Sequence, residues 1–266
     1  MNKHLLFSLA TGLAAALVTP AAIAADESEG DGRSRWELGL GVVATDSPYA
    51  GEGTRTTPFP LVTYEGEKFF FRGITAGWRF IQTDSFTLAG IARMRLDGFD
   101  IEDLGREELA LRGLDYRLLE DRDDSLDLGL SAAWDGAAGE IEFELLADVT
   151  DTSGGYQASL KYGYSFQLGK TRITPNVGVK WLSDDLANYY YGTLDEEVAR
   201  GVVSYKPDAV SIPHVGIDVS RRIGQKWGLF ASLQYRSLPT ELERSPLLEQ
   251  DRDDEASLLI GISRGF

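Results

Sequence analysis

The chain carries 266 residues, 43% of them hydrophobic, with no cysteine, two histidines and a formal net charge of -16. Without cysteine there is no disulfide framework and no thiolate for catalysis or metal binding, and the acidic balance disfavours nucleic acid as a partner. Past the N-terminus no apolar run approaches the ~18 residues of a spanning helix, which excludes a helical membrane protein.

The first element is MNKHLLFSLATGLAAALVTPAAIAA, with Lys3 ahead of an apolar stretch from Leu5 to Val18 and small residues before a cut near Ala24. That pattern is a secretory signal, residues 1–24. An acidic segment, 25–33, follows and is expected in the periplasm. From 34 to 266 the chain alternates with a period of two, the signature of strands. In the first segment, 34–45, Trp36, Leu38, Leu40, Val42 and Ala44 oppose Glu37, Gly39, Gly41 and Thr45. Further segments are 57–64, 68–80, 86–97, 125–134, 138–149, 155–169, 171–181, 209–222, 226–237 and 256–266.

The polar faces of these segments hold glycine and charge, and the apolar faces carry Trp, Tyr or Phe near their ends. Lipid outside and a wet or hydrogen-bonded lumen inside would require that. Backbone groups in hydrocarbon are satisfied only in helices or in a closed sheet, so the expected fold is all-β, a transmembrane antiparallel β-barrel. Barrels of this kind have an even number of strands and both termini in the periplasm, yet the evident segments number eleven. A twelfth strand over 106–116 restores parity. It puts the turns at Gly66, Gly136, Gly169 and Gly224 on the periplasmic side and the long connections 46–56, 117–124, 183–208 and 238–255 outside. Phe266 then sits in the aromatic girdle at the end of the last strand, as a signal for barrel assembly machinery would. Arg264 departs from the aromatic or apolar residue common there.

Candidate chemistry is sparse. Gly39, Gly41 and Ala44 spell G-x-G-x-x-A, but they fall inside a strand with no helix after them, so no cofactor is expected. His214 and Asp218 share one strand face about 13 Å apart, too far for direct contact. Hydrolysis would need a partner on a neighbouring strand, and the expectation is no enzyme. The acidic runs at Asp121, Asp123 and Asp124 and at Asp251, Asp253, Asp254 and Glu255 match no defined calcium cage. They are expected to be solvated, with weak bridging to lipopolysaccharide phosphates as the alternative.

By these registers the lumen carries Arg93, Arg95, Lys161, Arg172, Lys180 and Arg236 against Glu37, Asp127, Glu142, Glu144, Asp148 and Asp218, with His214 among them. Such a mixture either lines a narrow water path or pairs off and fills the interior. The candidate functional loop is Asn188, Tyr189, Tyr190, Tyr191 and Gly192. Three aromatics facing water would be costly, so they are expected to fold over the barrel mouth or to meet a ligand.

Several strings resemble the MipA/OmpV family over essentially the whole mature chain: PFPLVTYEGEKFFFRG (58–73), RGLDYR (112–117), DTSGG (151–155), ITPNVGVKW (173–181), NYYYG (188–192) and SPLL (245–248). The resemblance implies an outer-membrane protein surrounded by lipid and lipopolysaccharide. Its described role is a scaffold between a lytic murein transglycosylase and a murein synthase, and other members are porin-like or adhesive.

Overall fold

A computed structural model describes residues 35–266; the signal 1–24 and the acidic segment 25–33 lie outside the described residues. The wall is built from β1 (Trp36–Asp46), β2 (Thr54–Glu65), β3 (Phe69–Arg72), β4 (Thr75–Gln82), β5 (Phe86–Arg95), β6 (Ser125–Gly136), β7 (Gly139–Asp148), β8 (Tyr156–Gly163), β9 (Phe166–Leu168), β10 (Thr171–Leu182), β11 (Val210–Ile223), β12 (Trp227–Ser237) and β13 (Asp254–Gly265). β8 and β9 both pair with β10 and are two halves of one wall strand, and β13 pairs with β1. The ring is a closed antiparallel barrel of twelve strands.

Side-chain alternation is as the period of two requires. Outward positions such as Leu40, Leu130, Phe143, Leu160, Val177, Val215, Leu233 and Ile260 are exposed, which in water would be an untenable apolar surface and in lipid is the expected one. One rim has only turns of two or three residues, between β2 and β3, β4 and β5, β6 and β7, β9 and β10, and β11 and β12. Aromatics ring that end, with Trp36 and Tyr64 4.8 Å apart. Arg264 belongs to this girdle: its guanidinium lies 5.5 Å from the Trp227 ring and 5.2 Å from that of Phe266. A cation over aromatic faces tolerates the membrane rim, which explains the departure at that position.

The twelfth strand is not where the sequence places it. Residues 106–116 form no strand; Arg106–Leu111 is a helix, α1, inside the connection from β5 to β6. Parity is restored within 68–80, which reads as one strand but is split into β3 and β4 by a reversal at Gly73 and Ile74, with Gly73 at φ 59°. Its positive φ is what glycine permits. β5 consequently runs in the direction opposite to the one the sequence count gives it, with the 83–85 turn on the short-turn rim, and the orientation of every strand from β6 on is preserved.

The interruption between β8 and β9 also has a local cause. Tyr164 donates its N–H to the Pro175 carbonyl at 3.1 Å, so Pro175 turns its ring nitrogen toward the same seam. A missing donor is tolerated where the ladder is already broken.

Most of the fully buried side chains lie in the long connections at the other end. Segments 47–53, 96–124, 183–209 and 238–253 fold together over the mouth. Leu109, Leu186, Leu242, Leu247 and Leu248 are fully buried among them, and Tyr49, Phe99 and Tyr190 join the same cluster. The long connections thus make a cap with its own hydrophobic core.

Candidate functional site

Within the barrel, apolar side chains occupy the half nearer the short turns. Phe59, Phe70 and Phe230 each seat their ring on a glycine of a neighbouring strand, Gly41, Gly77 and Gly261, where an added Cβ would fall within 2.3, 2.1 and 2.1 Å of ring carbons. Glycine in a strand marks such close approach. Phe70 is further flanked by the guanidinium groups of Arg72 and Arg79, each 4.6 Å from its centroid.

Above these rings and below the cap lies a chamber of about 160 Å³. Its wall carries six cations, Arg55, Arg93, Arg95, Lys161, Lys180 and Arg236, and five carboxylates, Asp97, Asp127, Glu142, Glu144 and Glu255, with His214 beside them. Its roof is Tyr190 and Tyr191 with Leu182, Leu186, Ile212 and Leu238.

Most of the charge is paired. Arg93 makes a two-bond pair with Glu144 at 2.8 and 2.7 Å and donates to the Thr75 hydroxyl at 3.0 Å. Arg95 pairs with Asp127 and with Asp97 and donates to Gln157 at 2.9 Å. Lys161 meets Glu142 at 2.6 Å, and Arg236 meets Glu255 at 2.8 Å. Asp97 lies on the outer rim, beyond the strand. Burial raises its pKa, but Arg95, Lys180 and Arg236 outweigh burial and hold the carboxyl below its ordinary range.

The registers explain who is left over. Glu142, Lys161, Gly178, His214, Arg236 and Glu255 lie directly opposite one another across six neighbouring strands, β7, β8, β10, β11, β12 and β13. Glu142 takes the cation on its side and Glu255 the cation on its own. His214 stands at the centre, with its ring against Gly178. Lys180 is the next inward residue on β10 and a diagonal neighbour of His214. Among the described residues neither the Lys180 nor the His214 side chain has a hydrogen bond or an ion pair.

Not all sequence candidates meet there. Asp218 is lower in the barrel, accepting from Ser232 at 2.6 Å and from Asn176 at 3.0 Å, and it does not reach His214. Arg172 is lower still, opposite Gln167 and Ser220. Asp148 closes the connection after β7, accepting from Thr150, Ser153 and Gly154. Asn188 to Tyr191 belong to helix α2 (Asp184–Tyr191), capped by Ser183, whose hydroxyl accepts from the Leu186 N–H. Tyr190 is 2% exposed, and its hydroxyl donates to the Asp123 carbonyl at 3.2 Å. Burial first, then Asp97, pushes the Tyr190 hydroxyl pKa up, so it stays a neutral donor. Tyr191 stacks on Tyr49 at 6.1 Å.

Two functional elements escape sequence reasoning. The acidic run at 121–124 is not plain solvated surface: Asp121 accepts from the Ile101 N–H and Asp124 from the Gly98 N–H, and Arg122 between them is 2% exposed. Arg122 binds Glu197 of helix α3 (Asp195–Ala199), a residue no pattern singles out. Among the described residues no group of three or more His, Cys, Asp or Glu is placed to hold a metal ion.

A family model described as MltA-interacting protein MipA matches residues 38–266. The putative outer membrane protein YiaT of Escherichia coli K12 is 30% identical over 234 residues, 88% of this chain and 92% of that protein. The MltA-interacting protein of the same strain is 29% identical over 217 residues, 81% of this chain and 85% of that protein. Among solved structures, the NanC porin is similar at 10% identity with a TM-score of 0.48, over 86% of this chain and all of that one.

Proposed function

Because this chain belongs to the family of the MltA-interacting protein MipA, we propose that it is a non-enzymatic outer-membrane barrel serving as an attachment point for murein-remodelling enzymes. The observation that carries this reading is the cap. A barrel whose outer mouth is filled by a packed core of Leu109, Leu186, Leu242, Leu247 and Leu248 is built to present surfaces more than to pass solutes through that end.

The relative's printed name supplies the class of partner, and the rim of short turns together with segment 25–33 supplies the face. Turns of two or three residues offer little area by themselves against the ~1,000 Å² of a good interface. Segment 25–33 is therefore the expected main contact. A photo-crosslinker introduced in 25–33 should capture a lytic transglycosylase or a murein synthase in cells; capture of nothing but abundant neighbours would end this reading.

A second reading, a narrow channel for small solutes, draws on one specific observation. The chamber carries six cations and five carboxylates, and charge of both signs is characteristic of a wet interior. Conductance in a planar bilayer separates the two readings.

A further inference from the structure

The wall of the barrel is incomplete at one place. β3 and β4 reverse at Gly73 and Ile74, and β3 pairs with β2 only from Thr63 to Glu65. Beyond the bond from the Gly73 N–H to the Val62 carbonyl, the outer half of β2 has β1 on one side and, among the described residues, no strand on the other. Its free edge carries the backbone groups of residues two apart from Val62, namely Pro60, Pro58, Thr56 and Thr54. An unpaired N–H in hydrocarbon costs several kcal/mol, and two of these four residues have none to leave unpaired.

The gap has a defined frame. Its floor is the Gly73–Ile74 reversal, one side is β2 and the other is the end of β5, where the Met94 N–H bonds the Ile74 carbonyl at 3.0 Å. Its top is closed where the Gly105 N–H donates to the Ala50 carbonyl at 2.8 Å. Met94 faces outward from β5 and is 50% exposed, yet it also lines the internal chamber. The chamber lining takes in the run from Arg93 to Asp97 on the β5 side of the gap and Arg55 on the β2 side, so the chamber extends up to the gap. Just inside, the Thr57 hydroxyl and the Arg95 Nε are buried without a hydrogen-bond partner.

We propose that this gap is a lateral window through which a small, apolar monocarboxylate passes between the outer leaflet and a binding site in the chamber. The chemistry follows from what the chamber leaves unsatisfied. Pairing consumes Arg55, Arg93, Arg95, Lys161 and Arg236 on neighbouring carboxylates, which leaves the Lys180 side chain, with His214 as its diagonal neighbour, to meet an anion. The roof above them is apolar and aromatic. A void of about 160 Å³ is close to the ~150 Å³ that houses a single benzene ring, so the ligand class is a single-ring or short-chain acid with one negative charge. Access from the aqueous side is obstructed by the cap, which makes the membrane face the remaining route. The inference does not rest on the attachment reading above and survives or fails without it.

The test uses benzoate as the probe, with benzamide as its neutral counterpart. The chain has no cysteine, so Ser159→Cys, a neutral position on the chamber wall, carries a unique thiol. In the full-length protein folded in vesicles, a lipid-soluble maleimide should label that thiol at least tenfold faster than a charged, membrane-impermeant thiosulfonate added outside. Met94→Trp should slow the lipid-soluble reagent about tenfold, with heat-dependent gel mobility showing the barrel still folded. Benzoate, and not benzamide, should protect the thiol, and Lys180→Met should weaken that protection at least tenfold. Faster labelling by the charged reagent would overturn the window. Equal protection by benzamide, or no protection by benzoate in the otherwise unaltered Ser159→Cys protein, would overturn the anion site.

Discussion

Arg122 and Glu197 meet through two hydrogen bonds of 2.9 and 3.0 Å, and neither side chain has any exposed surface. The pair joins the connection after β5 to the connection after β10. Its remaining capacity is used as well: Glu197 accepts from the N–H groups of Glu120 and Leu194, and Arg122 donates to the carbonyls of Tyr189, Glu120 and Gly192. A buried ion pair satisfied on every side does little net work for stability but fixes one arrangement of the groups around it, since losing either partner strands a charge.

Removing one partner is therefore expected to loosen the cap and leave the wall intact. Glu197→Ala should cost about 3–5 kcal/mol of cap stability, read as faster trypsin cleavage within 183–209 of the folded barrel. The paired replacement Arg122→Met with Glu197→Leu should recover most of that loss. Equal cleavage of all three proteins would show that the pair does not hold the cap.

Conductance follows from the two packed regions. The intact barrel should give no discrete steps in a planar bilayer. A variant lacking 188–192 and carrying Phe230→Ala, which unroofs the chamber and thins the packing below it, should give them. Steps from the intact protein would favour the narrow-channel reading over the attachment one.

Asp124 gives a pH dependence with a definite sign. Burial is the main cause, with Asp97 and Asp123 adding to it against the Gly98 N–H, and the carboxyl is pushed up to about 6 from an ordinary ~3.9. The folded state then holds more protons than the unfolded one between these values, so stability falls as pH rises from about 4 to about 6. Asp124→Asn keeps an acceptor for Gly98 and should slow hydrogen exchange across 96–124 at pH 7 while changing little at pH 4. A gain of the same size at both pH values would rule out the titration.

The rings seated on glycine set the cost of altering the lower half. Phe70→Ala should destabilise the barrel by about 3–5 kcal/mol in urea unfolding from vesicles. Gly77→Val, whose Cβ would lie 2.1 Å from a Phe70 ring carbon, should fail to refold alone. It should regain folding with Phe70→Ala if the clash is the cause.

The facing of the strands, and their direction from β6 on, are legible because lipid on one side and a polar interior on the other impose a strict period of two, as in Ile173 to Trp181. The count of twelve was legible through parity, but its resolution was misassigned. Residues 106–116 alternate weakly and belong to the cap, where packing against neighbouring connections, and not the membrane, selects α1. The correct sign lay in PFP and RG: Pro58 and Pro60 mark a free strand edge, and Gly73 marks a reversal inside what looks like one strand. Lumenal charges could be named from facing, yet not which would be left over. That depends on register across six strands, and register is a property of pairs that no single strand carries. Glu197 was invisible because nothing local distinguishes a carboxylate that will be buried with a partner 75 residues away.

The free edge of β2 also bears on how the ring responds to the sheet of lipid around it. Apart from the short break between β8 and β9, the other seams of the wall are laced along most of their length by backbone bonds, so the ring is stiff there, and lateral pressure from the bilayer will be relieved first at the longest unpaired edge. A change in thickness or crowding of the outer leaflet would widen or narrow that seam before it strained any strand. In that sense Gly73, by ending one hairpin early, gives the cylinder a point of mechanical compliance.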